Sequence, residues 1–352
     1  MTGAEADIAQ AALDWLDNRW WGVVGQFTEL TSRLSWLHLL SALVLALVAY
    51  RLYRPQGAGR TGLRDAIAYI LPKSVYLHPS SIVDYKIFLF NLLFRPAGLM
   101  LSFLTTGFIG WGVAGLARQL IGPAPVQFEA GPVSMVVLGL LMALAYDLGT
   151  YVTHRLTHTV PVLWAFHRVH HSAEVLNPVT LFRKHPVYDA LGRWIDALVA
   201  GPLLGVIVYF WSSDVALKVG TTVAVIFTLF NFVGGNLRHT HIWLSFGPVL
   251  GRLLISPAQH QIHHSLAERH WNKNYGEVFA IWDWLFGSLY LPREREELRF
   301  GVTDAPAQPH PTLWRAMVEP FLYAWAQLRP GRLPATTADS PPAASTTDRP
   351  AS

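Results

Sequence analysis

Histidines at metal-ligand spacings fill the stretch from Tyr151 to Ser172, which reads YVTHRLTHTVPVLWAFHRVHHS. An H-x-x-x-H box is followed there by H-x-x-H-H, and a second H-x-x-H-H comes about ninety residues later. Residues three and four apart share one face of a helix, so each box presents two or three imidazoles in one direction. The boxes are His154 and His158; His167, His170 and His171; and His260, His263 and His264.

The number of these histidines favours a centre with two metal ions. A zinc site takes about four ligands, and the boxes supply eight histidines. His239 is a ninth candidate ligand, whereas His241 and His185 are possible ligands or supporting residues. Any one histidine could be an ordinary hydrogen-bonded residue, but the repeated spacing argues for metal binding by the set. Imidazole binds iron, zinc and copper alike, so the residues leave the metal open.

An acidic residue extends this pattern towards the N-terminus. Asp147, Tyr151, His154 and His158 are spaced four, three and four residues apart and lie on one helical stripe. A carboxylate near the end of a membrane span is costly without a partner. We therefore expect Asp147 to accept an imidazole N–H and fix its tautomer, with Tyr151 as a second supporting residue.

The composition predicts a membrane protein. Hydrophobic residues make up 52% of the 352 residues and charged residues 14%, with a mean hydropathy of +0.29. The chain has no cysteine, which excludes disulfides, thiolate zinc sites, iron–sulfur clusters and cysteine catalysis. The net charge of +4 is spread over short loops, so nucleic acid is not an expected partner.

The hydropathy pattern predicts an all-α integral membrane protein with about four to five transmembrane helices. Apolar runs occur at residues 34–50, 98–117, 133–152, 195–211 and 219–235, and the last two form a helical hairpin joined by SSDVALK. Helices carrying the first two boxes should separate at Pro161. A helical cap on the cytoplasmic side is expected to hold the histidine-rich dimetal site.

We divide the chain into five expected regions. They are an interfacial N-terminal segment (1–33), an N-terminal membrane region (34–129), a catalytic domain (130–292), a C-terminal helical region (293–329) and a disordered tail (330–352).

Charge asymmetry predicts the orientation of this layout. With the N-terminus outside, the outer segments hold Arg19, Arg33, Arg118 and Lys218, and the remaining 23 of 27 basic residues lie inside or at that boundary. All histidine boxes and the C-terminus then face the cytoplasm. The expected membrane is a bacterial inner membrane or one like the endoplasmic reticulum membrane.

The sequence lacks the motifs of several other classes of enzyme. The sequence contains no H-E-x-x-H, and it has no G-x-x-x-x-G-K or G-x-G-x-x-G loop that would cradle a nucleotide. Electrons for redox chemistry would therefore come from a separate partner.

The set of boxes resembles the fatty acid hydroxylase/sterol desaturase superfamily of membrane-bound non-haem di-iron oxygenases. The similarity covers roughly residues 130–292 and includes Asp147 and Tyr151. It also includes Arg183-Lys184-His185-Pro186, Asn274-Tyr275-Gly276, Trp282-Asp283 and Leu285-Phe286-Gly287. Thr240-His241 departs from the H-x-Asn common in relatives, where His239 matches the histidine.

This resemblance implies an oxidoreductase with two iron ions, for which zinc can substitute. It would use O2 to hydroxylate or desaturate a C–H bond of a membrane lipid, such as a sterol, fatty acyl or ether lipid. The electron donor would be a ferredoxin, a cytochrome or a flavin reductase. Trp164, Phe166, Tyr188, Trp194 and Trp243 are candidates to line the lipid path. Two alternatives are a histidine-rich membrane metal transporter or metal-binding protein, and a di-zinc membrane hydrolase.

Overall fold

The structure is a computed structural model that describes residues 10, 14, 17, 20–30, 32–53, 62–94, 106–303 and 308–329. The expected interruption at Arg95-Pro96, the disordered tail from residue 330 and most of the N-terminal segment lie outside these described residues. The division into five regions stays a prediction.

The described residues are mainly helical and form no β-sheet, which confirms the all-α prediction. Two isolated antiparallel bridges join Leu254 to Phe279 and Ser265 to Phe300. The segment 20–28 is helical. The main helices are α1 (Trp36–Leu52), α2 (Leu63–Ile70), α3 (Pro79–Phe94), α4 (Thr106–Ile121), α5 (Pro132–Thr159), α6 (Pro161–His171), α7 (Pro186–Phe210), α8 (Ser213–Phe232), α9 (Pro257–His263) and α10 (Leu313–Gln327). Shorter helical turns cover Lys73–Tyr76, Pro178–Phe182, Gly235–Leu237, Gly247–Leu250, Glu268–His270 and Ile281–Leu285.

Three helices, α5, α7 and α8, are long and apolar enough to cross a membrane. Helix α1 is a shorter apolar helix of 17 residues. On α5, Val133, Val136 and Leu140 are 79%, 62% and 45% exposed. Large apolar side chains on an outer surface suit contact with lipid.

The membrane-length helices pack on one another through small and branched residues. Helix α7 packs against α4 and α5, and α5 packs against α8. A Cβ atom added at Gly205 of α7 would lie 2.6 Å from the Val113 side chain and 2.9 Å from the Gly110 carbonyl oxygen of α4. The absence of a side chain at Gly205 therefore lets these two helices approach closely.

The predicted hairpin of α7 and α8 has a shorter connection than expected. Ser212 caps α8, accepting a hydrogen bond from the Val215 N–H at 3.2 Å. Most of SSDVALK therefore belongs to the first turns of α8, where Asp214 and Lys218 form an ion pair at 2.7 Å.

The break at Pro161 occurs as predicted. Helix α5 continues to Thr159, and Pro161 begins α6, so Val160 ends one helix and starts the next. Proline suits the first turn of a helix because its missing N–H needs no intrahelical partner there. This turn directs the first two histidine boxes, which lie on different helices, towards a common point.

A buried ion pair fixes the end of α6. The Arg183 guanidinium donates to Asp84 of α3 at 2.7 Å and to the Val169 carbonyl oxygen of α6 at 2.8 Å. Both charged side chains are 0% exposed, and the Ser172 hydroxyl accepts another Arg183 bond at 3.0 Å. The arginine of the R-K-H-P motif thus ties the second histidine helix to α3.

Candidate metal centre

Nine histidines from the three boxes and from position 239 meet in the interior as two adjacent groups. Within each group the candidate ligand atoms lie within 4.8 Å of one another. The five-histidine group contains His154, His158, His167, His171 and His263. The four-histidine group contains His170, His239, His260 and His264.

The ring nitrogens within each group face one another. The Nε2 atoms of His171 and His263 are 3.2 Å apart, and those of His239 and His260 are 2.9 Å apart. A neutral imidazole carries one N–H, so two facing Nε2 atoms share at most one hydrogen. A cation among several such lone pairs would satisfy them together. The donor set therefore fits metal ions held by neutral nitrogen ligands.

Burial keeps the imidazoles outside the membrane-length helices neutral. It lowers their pKa well below 6.5, and neighbouring imidazoles or cations act in the same direction. A metal ligand must be deprotonated, so this environment suits coordination. The residues concerned are His167, His170, His171, His239, His260, His263 and His264.

The third histidine box lies on a short helix with a well-formed N-terminus. Ser256 caps α9 by accepting from the Gln259 N–H at 3.3 Å, and the Gln259 side chain accepts from the Ser256 N–H at 3.0 Å. This reciprocal capping box satisfies two backbone donors. The Gln259 amide also donates to the Gly251 carbonyl oxygen at 2.8 Å, which anchors α9 to the preceding turn.

Two backbone carbonyls set the tautomers of two cluster histidines. His154 Nδ1 lies 2.7 Å from the Tyr275 carbonyl oxygen, and His263 Nδ1 lies 2.8 Å from the Lys273 carbonyl oxygen. A carbonyl only accepts, so each Nδ1 carries the hydrogen and each Nε2 presents a lone pair to the centre. The carbonyls belong to one loop, in which Asn272 and Asn274 have left-handed φ values of 59° and 56°.

This loop is fixed by two polar residues whose roles were not assigned from the sequence. The Asn274 amide donates to the Gln259 carbonyl oxygen at 3.0 Å and accepts from the Tyr290 N–H at 2.8 Å. Asp283 accepts from the Tyr275 and Gly276 N–H groups at 2.8 and 2.7 Å. Asn274 and Asp283 lie in the N-Y-G and W-D motifs, which marked the positions without revealing these bonds.

Asp147 supports the same loop but contacts no imidazole, so the expected bond to an imidazole N–H was wrong. Its carboxylate accepts from the Val278 and Phe279 N–H groups at 2.9 and 3.0 Å, and from the Trp282 indole at 3.1 Å. Three donors surround the buried side chain because the chain returns beside α5 after α9. The helical spacing of Asp147 with Tyr151 and the first histidine box could not reveal these partners, which are more than 130 residues away in the sequence.

Tyr151 also reaches this region without touching a histidine nitrogen. Its hydroxyl lies 3.0 Å from Ser288 Oγ and accepts from Arg155 at 3.0 Å. Ser288 donates to Asp283 at 2.6 Å, so Tyr151 is linked to the carboxylate that holds the carbonyl-bearing loop.

His185 and His241 lie outside both histidine groups. His185 Nδ1 accepts from the Val187 N–H at 3.1 Å as the cap of α7, and its Nε2 faces the Met317 carbonyl oxygen at 3.1 Å. His241 Nε2 faces the Tyr69 carbonyl oxygen at 2.6 Å. These contacts give both residues structural partners in place of the ligand role considered from the sequence.

Two cavities border the cluster on different faces. The tryptophan cavity, of about 80 Å³, is lined by Trp164, Trp271 and four cluster histidines. The charged cavity, of about 20 Å³, is lined by the other five cluster histidines together with Lys184, Arg238 and Glu277. The cluster therefore separates a mainly aromatic compartment from a charged one.

Glu277 in the charged cavity is an ionised carboxylate. Burial raises its pKa, but the cations Arg238, Lys184 and Arg33 outweigh that effect and hold the pKa well below its usual range. Arg238 lies 3.0 Å from Glu277 and Arg33 lies 3.3 Å from it. Arg33 therefore lies on the same side as the histidine cluster, and its expected position on the opposite, outer side was wrong.

The aromatic residues considered for a lipid path have different surroundings. Trp164 lines the tryptophan cavity, and Tyr188 stacks on His167 with ring centroids 4.6 Å apart. Phe166 packs against His185 at 5.0 Å, and Trp194 is 37% exposed on α7. Trp243 is buried beside α9.

The fatty acid hydroxylase family model matches residues 139–288, which include all nine cluster histidines. This segment is therefore similar to the fatty acid hydroxylase family. The resemblance inferred from the motifs is thereby confirmed. No solved structure matches the chain significantly.

Three relatives show how the fatty acid hydroxylase segment compares with known enzymes. An ornithine lipid hydroxylase of Rhizobium tropici is 33% identical over 49% of this chain and 47% of its own length. An alkylglycerol monooxygenase of Danio rerio is 30% identical over 53% of this chain and 37% of its own length. A Delta(7)-sterol 5(6)-desaturase of Candida glabrata is 28% identical over 42% of this chain and 35% of its own length. The chain thus spans less than half of these relatives, all of which are named as oxidoreductases.

Proposed function

We propose that the chain is an O2-dependent membrane oxidoreductase that hydroxylates or desaturates a C–H bond of a lipid. The observation that carries this proposal is the meeting of nine histidines, eight of them buried and His158 partly buried, beside the end of the membrane-length helix α5. Relatives named for lipid hydroxylation, alkylglycerol oxidation and sterol desaturation support the lipid substrate.

The two histidine groups would each hold one iron ion, with zinc able to substitute. Four or five imidazoles per group agree with the ligand number that one such ion uses. The fatty acid hydroxylase family assignment favours iron over the other metals that imidazole binds. Bound iron would supply the activation of O2 and the removal of hydrogen from an unreactive carbon.

The chain's own residues would orient these ligands and shape the space beside them. The carbonyl groups of Lys273 and Tyr275 direct two imidazole lone pairs inward, while Asn274 and Asp283 hold that loop. Trp164 and Trp271 line the cavity on one face of the cluster. An aromatic wall excludes water and favours an alkyl chain.

The proposed function also includes the orientation of the protein in the membrane and the partner that donates electrons. The histidine cluster and the C-terminus would face the cytoplasm, in a bacterial inner membrane or one like the endoplasmic reticulum membrane, because the positive-inside rule assigns most of the basic residues in short loops to that side. A ferredoxin, a cytochrome or a flavin reductase would donate the electrons.

Product formation with and without O2 tests this function. The full chain would be reconstituted with iron, a membrane lipid extract and a chemical reductant, and lipid products would be followed by mass spectrometry. We expect products 16 Da heavier or about 2 Da lighter than their precursors, reflecting the oxygen gained or hydrogen lost. His170→Ala should abolish them, whereas His185→Asn, outside both groups, should retain them, because asparagine can also cap α7.

Two outcomes would contradict the proposal. Full activity of His170→Ala would place the chemistry elsewhere. Turnover that needs neither O2 nor reductant would indicate hydrolysis by a di-zinc centre.

A further inference from the structure

A cavity of about 1040 Å³ lies beside the metal centre and outside both histidine groups. We call it the arginine cavity because Arg269, Arg295 and Arg299 line it. Gln261 also lines it and lies on α9 between His260 and His263. The arginine cavity and the metal centre are therefore built on the same short helix.

The arginine cavity shares a wall with the tryptophan cavity. Ser265 and Leu266 line both. Ser265 forms the antiparallel bridge with Phe300, and the Leu266 N–H donates to the Arg299 carbonyl oxygen at 2.9 Å. A molecule in the arginine cavity thus lies across one layer of chain from the four histidines of the tryptophan cavity.

One of the three arginines is already neutralised by its surroundings. Arg269 pairs with Glu296 at 2.7 Å. Glu296 also lies 3.0 Å from His270 and accepts from the Tyr290 hydroxyl at 2.9 Å. Glu296 is therefore occupied by several donors and does not balance the remaining arginines.

Arg295 and Arg299 supply the unbalanced positive charge. Both are exposed, and neither pairs with a carboxylate among the residues that the structure describes. Glu297, also exposed, is the remaining acidic residue of the lining. Guanidinium groups bind phosphate and carboxylate oxygens through two parallel hydrogen bonds, which makes arginine a preferred residue for anionic groups.

We propose that the arginine cavity binds the anionic head group of the lipid substrate, with Arg295 and Arg299 pairing with its phosphate-type oxygens. This assignment rests on the lipid oxidation proposed above. The part of the lipid's alkyl chain next to the head group would pass Leu266 into the tryptophan cavity. The oxidised carbon is then close to the head group and not at the far end of the alkyl chain.

Competition between two lipids of identical acyl chains tests the proposal. The purified full chain in detergent would be mixed anaerobically with equimolar phosphatidic acid and phosphatidylcholine, and native mass spectrometry would count each bound lipid. We expect the wild-type chain to prefer phosphatidic acid about tenfold, which corresponds to about 1.4 kcal/mol. The double variant Arg295→Ala, Arg299→Ala should lose that preference.

Matched variants separate the head-group contact from general effects of charge and folding. Arg293→Ala removes an exposed arginine of the same loop that does not line the cavity, and it should leave the preference unchanged. Arg295→Lys, Arg299→Lys should retain most of it. Thermal unfolding of each variant verifies that the fold is intact.

Three results would overturn the assignment. The first is equal binding of both lipids by the wild-type chain. The second is displacement of phosphatidic acid by millimolar inorganic phosphate, which would indicate a site for free phosphate. The third is an alanine double variant that keeps the lipid preference but loses reduction by an acidic redox protein, which would make the arginines a protein-docking surface.

This binding measurement needs no iron, O2 or turnover. A lipid preference without any oxidised product would leave the head-group site standing and remove the proposed function. Iron-dependent turnover without a preference for phosphatidic acid would support the proposed function and remove the head-group site.

Discussion

His154 Nδ1 lies 2.7 Å from the Tyr275 carbonyl oxygen, across 121 residues of sequence. This contact places the hydrogen on Nδ1 and directs the Nε2 lone pair of His154 into the cluster. His263 has the same relationship to the Lys273 carbonyl oxygen. One loop therefore orients a ligand of the first box and a ligand of the third, which couples metal binding to the geometry of that loop.

Asn274→Ala should weaken metal binding without removing a ligand. The substitution leaves a left-handed φ of 56° on a residue that disfavours it and deletes bonds to Gln259 and Tyr290. Loss of such outer support typically lowers metal affinity about 10- to 100-fold. Competition with a chelator measures this change. Asn274→Gly relieves the backbone strain only, so it should fall between Ala and wild type; wild-type affinity in both variants would rule out the role of the loop.

Asp147→Ala should destabilise the chain substantially. It leaves the Val278 N–H, the Phe279 N–H and the Trp282 indole without their acceptor in a buried site. An unsatisfied buried donor costs about 1–3 kcal/mol, so we expect a loss of at least about 3 kcal/mol in unfolding free energy. Denaturant unfolding in detergent measures it. The exposed pair of Asp214 with Lys218 provides the control, since Asp214→Ala should cost less than about 1 kcal/mol; equal losses would contradict the buried role.

The sequence predicted eight of the nine cluster residues because imidazoles at three- and four-residue spacings leave a local pattern, and His239 was predicted separately as a ninth candidate. It also predicted the helix break at Pro161, because proline lacks a backbone N–H and interrupts a helix at its own position in the sequence. The partners of Asp147 could not be predicted in this way, because Val278 and Phe279 meet it only after the chain has folded back. The roles of the Lys273 and Tyr275 carbonyls were equally hidden, since a backbone acceptor has no signature in residue type.

The spacing of α4 and α7 depends on Gly205. A Cβ atom there would clash with Val113 at 2.6 Å and with the Gly110 carbonyl oxygen at 2.9 Å. Gly205→Ala should therefore reduce stability by about 1–3 kcal/mol, as overpacking usually does. Gly112→Ala on α4 is the control, because nothing lies within 4 Å of its added Cβ. Unfolding midpoints that fall equally in both variants would reject close helix packing as the cause.

Acid should destabilise the metal-free chain. In the folded state burial lowers the pKa of cluster histidines such as His167, His171 and His264 well below 6.5. Below about pH 6.5 the unfolded chain therefore binds protons that the folded chain does not, and stability falls as the pH falls. Each such histidine contributes up to about 1.4 kcal/mol per pH unit.

Denaturant unfolding of the chelator-treated protein from about pH 7.5 down to about pH 5.5 checks this dependence. Replacing His260, His263 and His264 together by glutamine should make the decline shallower. A stability that stays constant over this range would contradict the buried, neutral state of the cluster.

The iron content of variants from each histidine group tests the central claim most directly. Elemental analysis of the iron-loaded wild-type chain should give about two irons per chain, because nine ligands exceed the needs of one ion. His158→Ala in the five-histidine group and His260→Ala in the four-histidine group should each reduce the content to about one, and the double variant should hold none. A single iron in the wild-type chain, or two in the double variant, would contradict a dinuclear centre built from these histidines.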